Sequence, residues 1–301
     1  MPDLDDIRAF SEVAQTGSLT RAGARLGMSK SMISRRLSRL EAELGTRLLA
    51  RTTRGMSLTE AGGDFRPFAE RMVADLDAGR DALSRQGEAS GRLRVSAPLS
   101  FGSTHLGAVL AELALRHPRL EISASYSDRL VDVVSEGFDA AVRLGNLADS
   151  SLIARRIAPV RALTVASPAY LARAGTPRTP AELAGHETIP HGDQTWEFVR
   201  DGKRFTFRPR GRFTADSGPA ELAGVAAGLG IAVMPAFLAG PAAQHGEIVT
   251  ILDDYEIPPA GLYVVRPPPA EPMPMKVKVL TDILVERFGS PDWDSWRRAA
   301  E

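Results

Sequence analysis

A serine- and arginine-rich segment near the N-terminus has residue types that could bind DNA. In residues 30–44, KSMISRRLSRLEAEL, apolar side chains recur at the spacing of an amphipathic helix, at Ile33, Leu37, Leu40 and Leu44. With a helical step of about 100° per residue, the side chains opposite this apolar stripe are Ser31, Ser34, Arg35 and Ser38. We call these four residues the serine–arginine face.

The residue types of the serine–arginine face suit the major groove of double-stranded DNA. An arginine can bind a guanine through two hydrogen bonds, and small hydroxyls let a helix approach closely and contact several bases. Lys30, at the helix start, can contact a phosphate or a base edge, and Ser29 precedes it at the cap. The alternative is that this face is only the solvated side of a helical bundle.

The preceding residues predict the helices that would position this face. Residues 4–13 have helical apolar spacing. A short helix follows, which Ser18 can cap and Gly27 ends, and Ser29 can then cap the longer helix. This order is that of a helix-turn-helix motif, at about residues 19–38.

The next segment predicts a β-hairpin wing. Residues 48–62, LLARTTRGMSLTEAG, contain two short extended stretches on either side of Arg54 and its glycine neighbour. Arg51 and Arg54 could neutralise phosphates, which position a protein on DNA without reading its sequence. Thr52 lies between them and completes the candidate DNA-binding residues.

The charge distribution agrees with a basic N-terminal module. Residues 1–58 contain ten Lys or Arg and six Asp or Glu, a net charge of +4, whereas the totals of 37 and 37 leave −4 for the remainder. The length of 301 residues predicts about two domains. Cysteine is absent from the sequence, which excludes disulfides and cysteine-based metal sites or nucleophiles.

The sequence predicts a cytoplasmic protein outside the membrane. The start, MPDLDDIRAF, is acidic and lacks the features of a secretory signal. Residues 222–244 carry no charge over a length that could span a bilayer, but they are rich in Ala and Gly and contain two prolines. We therefore expect a helix, a turn and a buried strand there.

A long amphipathic helix is predicted after the wing, capped by Thr59 and reaching about Gln86. Its apolar stripe consists of Phe65, Phe68, Met72, Leu76 and Leu83. Such a stripe predicts a coiled coil that dimerises two chains. The alternative is that the helix packs back on its own domains.

The remainder of the chain alternates short strands with helices. The predicted strands are GRLRVSA, LEISASY, DAAVRLG, RALTVAS, ETIPHG, RFTFRPR, IAVMP, EIVTIL and LYVVRP. Predicted helices, among them FGSTHLGAVLAELALRH and DRLVDVVSEG, lie between many of them. This alternation predicts α/β architecture with mostly parallel sheets, in two lobes.

Two helix starts in this region could attract an anion through their free N–H groups. Ser100 and Phe101 precede one predicted helix, and Ser217 precedes another. We hypothesise that the effector is a small organic anion, with an aromatic ring as one option, and we expect no other cofactor and no metal. The alternative for each serine is a plain helix cap.

The sequence resembles the LysR-type transcriptional regulators. The resemblance is strongest over residues 4–62, LDDIRAFSEVAQTGSLTRAGARLGMSKSMISRRLSRLEAELGTRLLARTTRGMSLTEAG, and continues through GRLRVSAPLSFGSTHLGAVL and GVAAGLGIAVMP. Lys30 departs from the pattern, because the family often has glutamine there. Lysine offers a point charge in place of an amide's donor and acceptor.

The resemblance implies an α+β multidomain fold with three parts. These parts are a winged helix-turn-helix (residues 1–59), a linker helix that dimerises (60–88) and an effector domain of periplasmic-binding-protein type (89–301). Lobe I would comprise residues 92–161 and 267–301, and lobe II residues 162–266. By resemblance, the interlobe cleft would hold Ser100, Asp128, Arg143 and Ser217, although Arg143 could equally be a structural ion-pair partner.

Promoter DNA, a second copy of the chain and RNA polymerase are the partners that this resemblance implies, with dimers of dimers as the assembly. An enzyme is the main alternative, but the five histidines are scattered and none pairs at i, i+4. A solute-binding protein without a DNA function is the other alternative. It would leave the N-terminal module without a purpose.

Overall fold

The structure is a computed structural model, which describes residues 2–52, 55–83, 89–129, 131–147, 152–268 and 273–290. Arg54 and residues 84–86, at the predicted end of the linker helix, lie outside the described residues. For Thr52 and Leu83 only the backbone is described.

The N-terminal region folds as three helices and a hairpin. The helices are α1 (Leu4–Thr16), α2 (Leu19–Leu26) and α3 (Lys30–Leu44), and the hairpin pairs β1 (Leu49–Thr52) with β2 (Gly55–Leu58) in antiparallel register. Their buried side chains form one core, centred on Phe10, Ile33 and Leu40.

The caps of these helices agree with the sequence prediction. The hydroxyls of Ser18 and Ser29 accept hydrogen bonds from N–H groups in the first turns of α2 and α3. Gly27 and Gly45 end these two helices with φ of 64° and 67°, a left-handed conformation that favours glycine. The turns between the helices are therefore fixed by local chemistry.

The linker helix α4 (Glu60–Leu83) continues through Pro67. Thr59 caps it, because its hydroxyl accepts a hydrogen bond from the N–H of Gly62 at 3.0 Å. The predicted apolar stripe divides into two parts. Phe65 packs on the N-terminal core, with its ring centroid 5.4 Å from that of Phe10, whereas Phe68 is 66% exposed.

A five-stranded sheet forms the first lobe of the C-terminal region, in the order β4-β3-β5-β12-β6. Its strands are β3 (Gly91–Ala97), β4 (Leu120–Tyr126), β5 (Ala140–Gly145), β6 (Ile153–Val160) and β12 (Ala260–Arg266). The strand β3 is parallel to β4 and β5, and β12 is antiparallel to β5 and β6. One core joins this sheet to the helices α6 (Gly107–Arg116) and α10 (Met275–Phe288).

The second lobe contains a three-stranded antiparallel sheet and a separate hairpin. The sheet has β7 (Ala162–Ala166) between β10 (Ala232–Pro235) and β11 (Val249–Thr250), and the hairpin pairs β8 (Trp196–Arg200) with β9 (Lys203–Phe207). The helices of this lobe are α7 (Pro168–Ala174), a 3₁₀ turn (Pro180–Gly185), α8 (Gly218–Ala226) and α9 (Ala236–Gln244).

The sheet topology corrects several expectations. The prediction of mostly parallel sheets is wrong, because only β3 forms parallel pairs among the described strands. The strand β12 lies in the first sheet, although the predicted boundary put residues 260–266 in lobe II. Residues 187–192 form only isolated bridges, and residues 133–137 form turns in place of a helix.

Two strands were not predicted, β6 and β8. The strand β6 forms the edge of the first sheet, and its first four residues, which include Arg155 and Arg156, are exposed. An exposed charged edge lacks the apolar run that marks a buried strand. Trp196 is 5% exposed at the start of β8.

The uncharged segment 222–244 folds as the end of α8, a turn, β10 and α9. The expected helix, turn and strand are present, and a second helix containing Pro241 follows them. Within the part of the chain that the structure describes, no helix has the length and apolarity needed to cross a bilayer.

A pair of adjacent glycines tests the packing of α4 against the wing. A Cβ atom on Gly62 would collide with the carbonyl oxygen of Leu48, whereas one on Gly63 would meet open space. We expect Gly62→Ala to lower the free energy of unfolding by about 1–3 kcal/mol through overpacking. Gly63→Ala should raise it by up to about 1 kcal/mol, since alanine is the better helix former.

Urea unfolding of the two variants beside the unchanged chain provides the measurement. Equal effects of the two substitutions would contradict the close contact between α4 and the wing.

Candidate nucleic-acid interface and effector cleft

The serine–arginine face points away from the N-terminal core. Ile33, Leu37 and Leu40 of α3 are buried in that core, whereas Leu44, which was expected to join them, is 36% exposed. Of the four residues of the face, Ser34 is partly exposed and the others, Ser31, Arg35 and Ser38, are exposed. The predicted rotation of α3 is therefore present in the structure.

A buried carboxylate fixes this rotation. The side chain of Asp6 in α1 is 1% exposed, and it accepts hydrogen bonds from Arg36 at 3.0 Å and from Arg39 at 2.6 Å. Burial acts to raise the pKa of Asp6, but the hydrogen bonds from Arg39 and Arg36 outweigh it and hold the pKa below its ordinary value. Two arginines of α3 are thus neutralised by the protein's own carboxylate, Arg36 with a side chain that is 20% exposed and Arg39 with one that is 52% exposed.

The predicted DNA-binding cations have no such partners. Lys30, Arg35 and Arg51 form no ion pair with any described residue. Sequence analysis did not separate Arg35 from Arg36 and Arg39, because the three belong to one RRLSR run. The acidic pair at the start of α1 was the signal that could have separated them.

Five of the predicted residues line one shallow surface concavity of about 470 Å³, together with Leu19: Ser29, Lys30, Ser31, Ser34 and Arg51. Ser29 also acts as the cap of α3, since its hydroxyl accepts from the N–H of Met32 at 3.2 Å. The concavity joins the start of α3 to β1 of the wing. Arg54 lies outside the described residues, and the side chain of Thr52 is not described.

Glu41 is a positioning residue that the sequence analysis missed. Its carboxylate accepts hydrogen bonds from the backbone N–H groups of Leu48 and Leu49, at 2.8 and 3.0 Å. These hydrogen bonds fix the position of the start of β1 relative to the end of α3. Arg51 follows two residues later and is thereby held beside the start of α3.

The cleft candidates Ser100 and Ser217 lie on neighbouring segments. Ser100 belongs to the short helix α5 (Leu99–Phe101), which continues through a π turn (Gly102–Leu106) into α6, so it lies within the first turn and not before it. It is 8% exposed, and a Cβ on Gly218, at the start of α8, would lie 3.9 Å from its hydroxyl oxygen. Ser217 occupies the cap position of α8 without making a capping hydrogen bond.

Two of the predicted cleft residues serve the first lobe. Phe101 is wholly buried and packs on the rings of His105 and Phe237, so its predicted role in effector binding is wrong for its side chain. Arg143 is 9% exposed and donates to the carbonyl of Val131 at 3.1 Å. Burial lowers its pKa. This contact is structural, but it is not the ion pair given as the alternative for Arg143, because Arg143 forms no ion pair with a described residue.

Acidic side chains of the chain lie at both helix starts. Asp128 accepts a hydrogen bond from the N–H of Leu99 at 2.8 Å. Glu221, in the first turn of α8, is 2% exposed and pairs with His191. This hydrogen bond raises the pKa of His191 against the opposing effect of burial, and the charges of Asp128 and Asp216 raise it further. The cleft is therefore acidic around one histidine.

Sequence features considered for catalysis or metal binding have other contacts. Of the five histidines, His191 pairs with Glu221 and His117 ends α6. Among the described residues, no group of three His, Cys, Asp or Glu is arranged to hold a metal ion.

The three-helix fold, the outward cations on α3 and the two-lobed region together define a DNA-binding regulatory protein with a separate ligand-responsive region. Family comparison agrees with this class. Residues 4–63 match the family described as bacterial regulatory helix-turn-helix protein, lysR family, and residues 86–289 match the LysR substrate binding domain. The chain belongs to the LysR family of bacterial transcriptional regulators.

Individual relatives match along nearly the whole chain. The regulator PtxR of Pseudomonas aeruginosa is 37% identical over 95% of this chain and 93% of its own. The full-length structure of the virulence activator AphB of Vibrio cholerae is 29% identical, with a TM-score of 0.58 over 94% of this chain and 99% of its own. CrgA of Neisseria meningitidis is 30% identical, with a TM-score of 0.58 over 94% and 97%.

Replacing the buried carboxylate tests how α3 is held. We expect Asp6→Asn to lower the free energy of unfolding by about 2 kcal/mol at neutral pH, because it removes the charged acceptor of two arginines. Because the pKa of Asp6 is lower in the folded state than in the unfolded chain, where it is about 4, ionised Asp6 stabilises the fold at pH values above that unfolded pKa. This stabilisation is lost as the pH falls through the pKa of the folded state. The difference between the variant and the unchanged chain should therefore shrink in acid.

Thermal unfolding between neutral and acidic pH measures this difference. Asp5→Asn is the matched control, since Asp5 contacts Arg36 at 3.0 Å with a side chain that is 55% exposed. A difference that stayed constant with pH would contradict the ionised state of Asp6.

Proposed function

We propose that α3 reads promoter DNA through the serine–arginine face, with Arg35 as its guanine-binding residue. The observation that carries this proposal is that some arginines of α3 are paired with acidic residues and another is not. Arg36 and Arg39 form ion pairs with Asp6, whereas Arg35 faces outward without an ion-pair partner among the described residues. Arginine at such a position can bind both acceptors of a guanine edge. Ser31, Ser34 and Ser38 supply hydroxyls along the same face.

The phosphate contacts in this proposal come from the ends of the concavity. Lys30 lies at the N-terminus of α3, where its charge adds to the positive end of the helix dipole. Arg51 and Thr52 lie on β1, and Arg54, outside the described residues, follows them in the sequence. Contacts of this kind orient a protein on the duplex without specifying sequence. Ser29 contributes as the cap that shapes the helix start.

Two substitutions separate sequence reading from phosphate binding. We expect Arg35→Ala to relax the sequence preference, at a cost of about 1–3 kcal/mol on the cognate site. Arg51→Ala should weaken binding to all sequences similarly and reduce the slope of log K against log salt by about 1. Gel shifts with the chain's own upstream region and a scrambled duplex, at several salt concentrations, measure both effects.

Arg204→Ala is the charge-matched control, since Arg204 lies on the hairpin of the second lobe with a side chain that is 73% exposed. It should leave both quantities unchanged. An unaltered preference in Arg35→Ala would exclude Arg35 from the groove.

We also propose that two chains dimerise through α4. The support is an unpaired apolar strip on this helix, because Phe68 and Met72 are 66% and 38% exposed and lie at i, i+4. Exposed apolar groups at this spacing are typical of a helix–helix seam. Two dimers would then form the tetramer that the family resemblance implies, with RNA polymerase as a further partner at the promoter.

Phe68→Lys tests the dimer. We expect a larger monomer fraction, because a charge would have to be desolvated in the seam. Light scattering coupled to size exclusion measures the mass. Leu115→Lys, at an α6 side chain that is 82% exposed, should not change the assembly. An unchanged dimer in Phe68→Lys would exclude this strip from the interface.

The proposed effector binds between the lobes, at Ser100 and Ser217. In its favour, neither hydroxyl has a hydrogen-bond partner within the described part of the chain. Asp128 accepts from the N–H of Leu99, and Glu221 adds a buried negative charge in the first turn of α8, so the cleft favours a neutral or cationic effector over the anion predicted from the sequence. Binding would change promoter output by favouring one arrangement of the lobes.

We further propose that the protein acts in the cytoplasm and is not an enzyme. Promoter DNA is found there, and the relatives are named as transcriptional regulators. No cofactor is required for this function.

A further inference from the structure

A pocket with a volume of about 420 Å³ lies between α4 and the first lobe. We call it the linker pocket. Its apolar wall in the first lobe includes Val133, Phe138, Pro267 and Val277, and Pro67 of α4 faces it. The volume suits a small organic molecule. None of its lining residues belongs to the cleft at Ser100.

The linker pocket contains a buried arginine without a carboxylate partner. Arg266, the last residue of β12, is 9% exposed and lines the pocket. Its one hydrogen bond to the described residues is a long one of 3.3 Å from Nη1 to the carbonyl of Pro267. No Asp or Glu in the described ranges lies within ion-pair distance of it. Burying an unpaired charge is costly, so a site for an anion would compensate it.

The start of α10 supplies a second feature for the same ligand. This helix of 14 residues begins beside the pocket at Pro274, with no side-chain cap and no acidic residue in its first turn. The carbonyl of Pro274 accepts from Val277 and Lys278, which leaves the N–H groups of Met275 and Lys276 without an acceptor among the described residues. Free N–H groups at a helix start favour an anion.

The other charges around the linker pocket neutralise one another. Lys276 pairs with Asp139 at 2.7 Å, and Glu70 pairs with Arg94 at 3.1 Å and with Arg66 at 2.9 Å. Arg71 and Asp75, which lie on the exposed side of α4, approach each other to 3.9 Å. Among the described residues that line this pocket, Arg266 is therefore the charge without an oppositely charged partner.

We propose that the linker pocket binds a small organic carboxylate with an apolar body. The carboxylate contacts the Arg266 guanidinium and the start of α10, and the apolar body packs against Val133 and Phe138. A charge-assisted pair with arginine is among the strongest hydrogen-bonded contacts in proteins. Because Pro67 and Arg71 form the opposite wall, the bound ligand contacts both the linker helix and the first lobe.

Isothermal titration of the full-length protein with three probes tests this proposal. The probes are benzoate, octanoate and 2-naphthoate, each paired with its neutral amide. We expect at least one carboxylate to bind, with its amide about tenfold weaker or more. Arg266→Gln should remove that difference by weakening the carboxylate alone.

A second variant guards against misfolding of Arg266→Gln. Val134 lines the same pocket and is 39% exposed, so Val134→Trp can narrow the pocket with little cost to the core. It should abolish binding of the carboxylate while leaving the circular dichroism spectrum and the DNA affinity unchanged. Ser100→Ala should keep full carboxylate affinity, because the cleft is a different site.

Three results would overturn the proposal. They are no binding by any of the three carboxylates at millimolar concentration, equal binding of acid and amide, and carboxylate affinity lost in Ser100→Ala but kept in Val134→Trp. The third result would assign the anion to the interlobe cleft. None of the three titration results depends on DNA reading by Arg35, so the failure of either proposal leaves the other standing.

Discussion

The ion pairs between α1 and α3 decide which charges this protein can offer to DNA. Asp6 is buried and would be costly to leave unpaired, so it binds Arg36 and Arg39 and holds the helix by two side chains one turn apart. This contact sets the rotation of α3 about its axis. The N-terminal module has an excess of cations, but Arg36 and Arg39 are paired with acidic residues of the α1 segment, whereas Arg35 is exposed without an ion-pair partner among the described residues.

The position of the wing also depends on contacts between residues that are close in the sequence. Glu41, near the end of α3, binds the two N–H groups that open β1, and Thr59 caps α4 while donating to the carbonyl of Arg47 at 2.7 Å. Gly62 then lets α4 approach Leu48. Each contact spans a short stretch of sequence, so helix, wing and linker are positioned relative to one another. A reading helix and its phosphate contacts need this rigidity to act together.

Local signals explain what the sequence could predict. The starts of α2 and α3 could be predicted from Ser18 and Ser29, and their ends from Gly27 and Gly45. Helix caps can be predicted in this way because they depend on residues within one turn. The strand β12 could not be placed in this way, since its partners β5 and β6 are more than 90 residues earlier in the chain. The packing of Phe101 could not be predicted for a related reason. An aromatic side chain beside a helix start can contact a ligand or pack in a core, and its contact with Phe237, which is distant in the sequence, shows that it packs in the core.

The helix starts illustrate a more general limit. Free N–H groups make any helix start attractive to an anion, but the protein's own carboxylates compete for the position. At Leu99 the carboxylate of Asp128 binds the N–H group, and in the first turn of α8 Glu221 places a buried negative charge. At α10 no acidic side chain enters the first turn, and a buried arginine lies beside it. Helix starts of the same kind therefore lie beside negative charge in the cleft and beside positive charge in the linker pocket. The sign of the local charge depends on side chains that come together only in the folded chain.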